Sequence, residues 1–202
     1  FGMELPLVTR LLFGFGKSVQ KYWYLHFGVP ALIIVAFIRY IKGPGKSQWD
    51  HFLLRVKVFG SVVRKSQTAQ FARTFGMLMQ SGVPMLQALD ILDRLSDNAV
   101  VRETVIEAKG SVRDGVGLAR PLRQSQIFPP MLAHMVAIGE ETGALDQMLH
   151  KTADFYDREV DQAIQNLTAM IEPAIILVIG VFAAFIVAAI MVPMFNMAGG
   201  IM

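Results

Sequence analysis

The sequence predicts an all-α membrane protein in which two transmembrane helices flank a cytoplasmic bundle of about six helices. Three observations lead there. Residues Pro173 to Phe195 carry no charged side chain, and at about 1.5 Å rise per residue such a run crosses a hydrocarbon core about 30 Å thick. The chain of 202 residues is 53% hydrophobic and 17% charged, with a mean hydropathy of +0.46. That is too apolar for an ordinary soluble domain and too charged for membrane spans alone. Between residues 42 and 170, apolar positions recur at spacings of three and four, and no stretch alternates with the period of a strand.

Residues 1–21 are expected to form a non-cytoplasmic segment, followed by a transmembrane helix over 22–41. The centre of that helix, Phe27 to Ile38, is uncharged. Tyr22, Trp23 and Tyr24 stand where an interfacial aromatic belt belongs, and Lys21 and Arg39 can snorkel at the two ends. The flank that follows is basic: residues 39–65 hold seven Lys or Arg (Arg39, Lys42, Lys46, Arg55, Lys57, Arg64, Lys65) against one acid, Asp50. By the positive-inside rule residues 42–170 are then a cytoplasmic helical-bundle domain. A second transmembrane helix is expected over 171–195, and the uncharged 196–202 is a second non-cytoplasmic segment. The chain opens on Phe1 with no basic stretch leading to a small-residue cleavage site, so it reads as a piece of something longer.

Inside the bundle the first helix is expected over Ser61 to Ser81, stopped by Gly82. Pro84 suits the first position of the next, whose apolar face is Met85, Leu86, Leu89 and Leu92. Asp97 or Asn98 can cap a third, with Val101, Val105, Ala108 and Val112 in register. Gly115 and Gly117 end it, and a short helix from Leu118 to Arg123 follows. Phe128-Pro129-Pro130 opens a fifth, running to Thr142 and stopped by Gly143. In the sixth, Leu145, Met148, Leu149, Thr152, Phe155, Tyr156, Val160, Ala163, Ile164 and Leu167 form one stripe. Asp146, Lys151, Asp154, Asp157, Arg158 and Asp161 lie off that stripe. Pro173 is expected to kink or break the helix where it meets the membrane.

Several chemistries are disfavoured. With no Cys, disulfides and thiolate metal sites are excluded. Gly16-Lys17-Ser18 and Gly45-Lys46-Ser47 end like a phosphate-binding loop, but Leu11 and Tyr40 occupy the positions of its first Gly. Ser18-x-x-Lys21 imitates a hydrolase signature without the companion sequences. His26, His51, His134 and His150 form no ligand pair at helical spacing. No catalytic, cofactor-binding or metal-binding residue is assigned. The sequence pI near 9.3 comes largely from the basic flank of a span, which is a topology signal, so no nucleic-acid partner is expected.

Four stretches carry a resemblance: Ala72-Arg73-Thr74-Phe75-Gly76-Met77-Leu78-Met79-Gln80-Ser81-Gly82-Val83-Pro84-Met85-Leu86-Gln87-Ala88-Leu89; Phe128-Pro129-Pro130-Met131; Ile138-Gly139-Glu140-Glu141-Thr142-Gly143-Ala144-Leu145-Asp146; and Ile171-Glu172-Pro173. Together they resemble the type II secretion system protein F family, which includes the inner-membrane platform proteins of type IV pili. Leu5-Pro6-Leu7-Val8-Thr9-Arg10 is similar to the family's segment after its first span. Family members have two related cytoplasmic domains and three spans, so the chain resembles the second half. The resemblance implies a multi-pass protein of the bacterial inner membrane, without enzyme activity or cofactor. It implies a platform that couples a cytoplasmic assembly ATPase to the insertion or extraction of pilin or pseudopilin subunits. Other inner-membrane assembly proteins, membrane lipid and further copies of the chain are the remaining expected partners.

Glu140, Glu141, Asp146, Asp154, Asp157, Asp161 and Glu172 are the candidate partner-binding residues. Each also has a purely structural reading. Gly139 to Gly143 can be a helix end and turn, with Asp146 near the next helix N-terminus. Glu140, Glu141 and Asp146 can alternatively meet a partner or hold a hard cation. Asp154, Asp157 and Asp161 share one helix face, either solvated or a dock for a basic partner. Glu172 can mark a helix break or meet a charged pilin end. On the residues alone two other classes stay open: a subunit of an oligomeric channel or transporter, and a membrane-tethered enzyme. The spans offer no internal charge for an ion path, and no nucleotide or metal signature supports an enzyme.

Overall fold

The structure is a computed structural model and describes residues 17–18, 20–43, 45–56 and 59–199. The expected segment 1–21 and the resemblance at Leu5 to Arg10 lie almost wholly outside the described residues, as does the end of the tail. Eight helices are named here in chain order: α1 (Trp23–Lys42), α2 (Lys46–Arg55), α3 (Phe59–Gln80), α4 (Met85–Leu95), α5 (Ala99–Arg113), α6 (Ala119–Gln124), α7 (Pro130–Thr142) and α8 (Leu145–Gly199). Among the described residues there is no strand. The chain divides into two compact units: residues 40–166, and the residues up to 39 together with those from 167 onward.

Residues 40–166 form a helical bundle around one apolar core. Phe75, Leu89, Leu118, Leu122, Ile127, Leu132 and Leu149 are fully buried there, and each contributes about 1.5–3 kcal/mol relative to exposure. The Phe71 and Phe128 rings pack with centroids 4.8 Å apart. Helix ends follow the local chemistry. Of the two candidate caps, Asn98 is the one used: its side chain accepts the N–H groups of Val100 and Val101. Gly143 closes α7 in the left-handed conformation at φ 71. Pro84 stands one position earlier than expected, as the residue before Met85.

Two expectations need correction. α2 was read only as a basic flank, so the bundle holds one helix more than the six expected. Its own signals are weak: Gly45 offers no side-chain cap, and Leu54 is its one buried apolar side chain among the described residues. Tertiary contacts hold it, including the Asp50 carboxylate, which accepts the Ala99 N–H at 2.9 Å. Of the kink or break expected at Pro173, the break is absent: α8 runs as one helix from Leu145 to Gly199. A proline in a helix interior costs about 3 kcal/mol. Opening the helix within an apolar run would strand several backbone groups at several kcal/mol each, so continuity wins. The expected division at residue 170/171 therefore falls inside a single helix.

The other unit contains the two apolar stretches. α8 is the one described helix long and apolar enough to cross a membrane by length and composition, and α1 carries a shorter apolar stretch, Phe27–Tyr40. Every residue from 168 to 187 is exposed. Leu32 is 70% and Leu177 67% exposed, values that an aqueous surface would not favour for so many adjacent side chains.

Candidate partner-binding surface

The α7–α8 turn shows what each residue of Gly139 to Asp146 does. A Cβ on Gly139 would lie 2.8 Å from the Leu145 Cα, so only glycine lets the start of α8 pack this closely on α7. Thr142 donates its hydroxyl to the Ile138 carbonyl at 2.7 Å. Leu145 is buried in the core. Glu140 reaches away from the turn to the start of α6. Its Oε1 accepts the Leu118 N–H at 2.6 Å and its Oε2 the Ala119 N–H at 3.3 Å. Gly117 makes that approach possible. Its φ is 94, and a Cβ there would sit 3.2 Å from both carboxylate oxygens.

Glu140 thus ties α7 to α6 from inside the bundle. Glu141 is exposed and Asp146 half-buried in the first turn of α8. Among the described residues no group of three or more His, Asp or Glu side chains is placed to hold a metal ion, and the Glu140 carboxylate accepts two backbone N–H groups.

On α8, Asp154 and Asp157 are brought together by Arg73 of α3. Arg73 donates to Asp154 at 3.1 Å and also bonds Asp157. These bonds, Asp157 foremost, push the Arg73 guanidinium above its ordinary range. One turn on, Lys65 of α3 donates to Glu159 at 2.7 Å. Tyr156 lies between, buried, and burial first and Glu159 second push its phenol up. Of the apolar stripe, Tyr156 is buried while Phe155 and Val160 are half-buried. An open cleft of about 580 Å³ is lined by Leu54, Arg64, Lys65, Phe155, Tyr156 and Glu159 among others.

Asp161 is exposed, and no ion pair joins it to a described residue. Glu172 is exposed and belongs to the other unit. The seven candidates therefore do not converge. Three are engaged within the bundle (Glu140, Asp154, Asp157), and Glu141, Asp146 and Asp161 remain on its outside. The sequence did not single out Arg73, Lys65 or Glu159 as site residues, and it read Gly117 only as a helix end. Arg73 lies 81 residues from Asp154, and no local spacing reports such a pair.

Residues 71–193 match the family described as type II secretion system (T2SS), protein F. The chain belongs to this family. It is 39% identical over 202 residues to the type IV pilus assembly protein PilC of Myxococcus xanthus, covering 100% of this chain and 48% of that protein. It is 43% identical over 200 residues to the PilC of Thermus thermophilus, covering 98% and 49%. It is 38% identical over 198 residues to the type II secretion system protein F of Pseudomonas aeruginosa, covering 97% and 49%. The chain spans about half the length of the curated relatives it matches. The protein F match takes in Arg73, Glu140, Asp161 and Glu172, and begins after α2.

Proposed function

We propose that this protein F family chain is part of an inner-membrane platform of a type IV pilus or type II secretion system. In this reading α1 and the apolar part of α8 both cross the bilayer, and residues 42–170 face the cytoplasm. The bundle receives motion from a cytoplasmic assembly ATPase, and the platform passes it to pilin or pseudopilin subunits entering or leaving the membrane.

The observation that carries the reading is the family match over residues 71–193, which takes in bundle helices and the long apolar helix in one continuous stretch. The names of the relatives, type IV pilus assembly protein and type II secretion system protein F, support the setting. The exposed, uncharged residues 173–187 and the basic flank after α1 support two spans with the bundle inside. On the bundle, the exposed Glu141 and Asp161 and the half-buried Asp146 are the residues proposed to meet a basic partner surface. Glu172 is proposed to meet a charged group of a pilin near the membrane.

The test is affinity purification of the tagged, membrane-embedded protein from its host in mild detergent. An assembly ATPase and a pilin-like subunit should co-purify at normal membrane abundance. Neither should be enriched over an unrelated membrane protein if the reading is wrong.

A further inference from the structure

α2 precedes the residues 71–193 that match the family, although the PilC relatives align across it. It carries an exposed aromatic pair with its successor helix: Phe52 is 55% and Phe59 58% exposed. The Phe52 ring lies tilted against that of Trp49, three residues back, with centroids 5.7 Å apart. Gln48 and Phe52, four residues apart on one helix face, are both exposed.

The described acids nearest α2 are Asp50, Asp97 and Glu103, the last 3.9 Å from His51. Asp50, the one acid among residues 39–65, is turned inward onto the Ala99 N–H. Arg64 donates to the Leu54 carbonyl at 3.1 Å and Lys65 to Glu159 at 2.7 Å, so both are used within the bundle. The sequence of the run also holds Arg39, Lys42, Lys46, Arg55 and Lys57, of which Arg39 is exposed and Lys46 half-buried. Lys46 has only a 3.7 Å pairing with Asp97, whose side chain is fully exposed, a contact of little strength.

The covalent link supplies the location. Only residues 43–45 separate α1 from α2, so at about 3.8 Å per Cα step the two helix ends lie within ~15 Å of each other. If α1 spans the bilayer, as proposed above, α2 begins at its cytoplasmic surface.

We propose that α2 is an interfacial anchor, seating Phe52 and Phe59 at the headgroup level of a bilayer rich in anionic phospholipid. Aromatic side chains on a short helix flanked by Lys and Arg are the chemistry that partitions to such a surface. An acidic protein face is the competing occupant. The bilayer is favoured because the three-residue tether holds α2 beside it in every state of the machine. The anchor would give the bundle a fixed pivot on the membrane while its outer face engages moving partners. This inference rests on the reading of α1 as a span.

The test uses the chain reconstituted in phosphatidylcholine vesicles, with and without phosphatidylglycerol, containing lipids brominated at shallow or deep acyl positions. The chain has two tryptophans, Trp23 and Trp49. Trp49→Phe leaves Trp23 to report on α1. Trp23→Phe with Trp49→Phe and Phe52→Trp reports on α2. The anchor is expected to give strong shallow quenching at position 52 with phosphatidylglycerol. Adding Lys46→Gln and Arg55→Gln should lower the bound-to-unbound ratio about 25-fold, roughly fivefold for each charge removed, with Trp23 quenching unchanged. Quenching of Trp23 with none at position 52 in either lipid would overturn the anchor and leave the spans standing. A blue-shifted, unquenched signal at position 52 would also overturn it, in favour of a protein cover. Absence of quenching at Trp23 would remove the span reading, and the anchor with it.

Discussion

Glu140→Ala removes the acceptor of two backbone N–H groups at a part-buried junction. The Leu118 N–H donates to Oε1 at 2.6 Å, and Leu118 itself is fully buried. A hydrogen bond to a charged group is worth about 1.5–3 kcal/mol, and an unsatisfied buried donor costs about as much. The Ala119 bond, at 3.3 Å, is long and contributes less. The expected loss is therefore about 2–4 kcal/mol for Glu140→Ala. Glu140→Gln keeps one carbonyl acceptor and should lose about half as much. The assay is urea-dependent pulse proteolysis of the detergent-solubilised protein, in which the midpoint shifts in proportion to the loss. Stability of Glu140→Ala within about 0.5 kcal/mol of the parent would refute the internal role of this carboxylate. A partner contact would behave oppositely: such a variant would stay fully stable and lose machine assembly.

Arg73→Ala and Asp157→Asn should each cost about 0.2–1 kcal/mol, because the pair is part-exposed; the double variant should cost no more than the larger single loss, and full additivity in a double-mutant cycle would show that the contact carries no energy. Tyr156 has its phenol raised by burial and by Glu159, so its contribution to stability is complete below its unfolded pKa of about 10 and is lost as pH rises through the folded value. The stability difference between the parent and Tyr156→Phe should accordingly be flat near neutral pH and change in favour of Phe at alkaline pH, and a pH-independent difference in the same proteolysis assay would contradict it. A single Cys placed by Asn196→Cys in this cysteine-free chain should react with an impermeant thiol reagent only from the non-cytoplasmic side of sealed vesicles; labelling from the cytoplasmic side alone would reverse the proposed orientation.

Much of the bundle was legible because its signals are local. Gly82, Gly115, Gly117 and Gly143 all have positive φ and end helices where the sequence placed breaks. Asn98 and the Pro129-Pro130 pair mark helix starts by their own chemistry. α2 escaped because its helix rests on distant groups, Ala99 above all, rather than on a cap or an apolar stripe. Pro173 misled because a proline penalty was weighed without the larger cost of opening a helix in an apolar run. The acidic surface was partly misread for the same reason as α2. Asp154 and Asp157 share a face, as spacing requires, but what faces them is Arg73 from another helix. Reversing the charge of those two residues would therefore disturb the bundle as well as any partner, and Asp161, exposed and unpaired among described residues, is the cleaner probe.

The central claim is that the outer face of this bundle meets the moving parts of a pilus or secretion machine. Photocrosslinking in the living host tests it most directly, with a photoreactive amino acid placed at Glu141, Arg158 or Asp161, each of them exposed. Light-dependent adducts with an assembly ATPase or a pilin-like subunit, identified by mass spectrometry and lost on Asp161→Lys, are the expected result. Normal membrane abundance with no adduct to any component of the machine from all three positions would contradict the account.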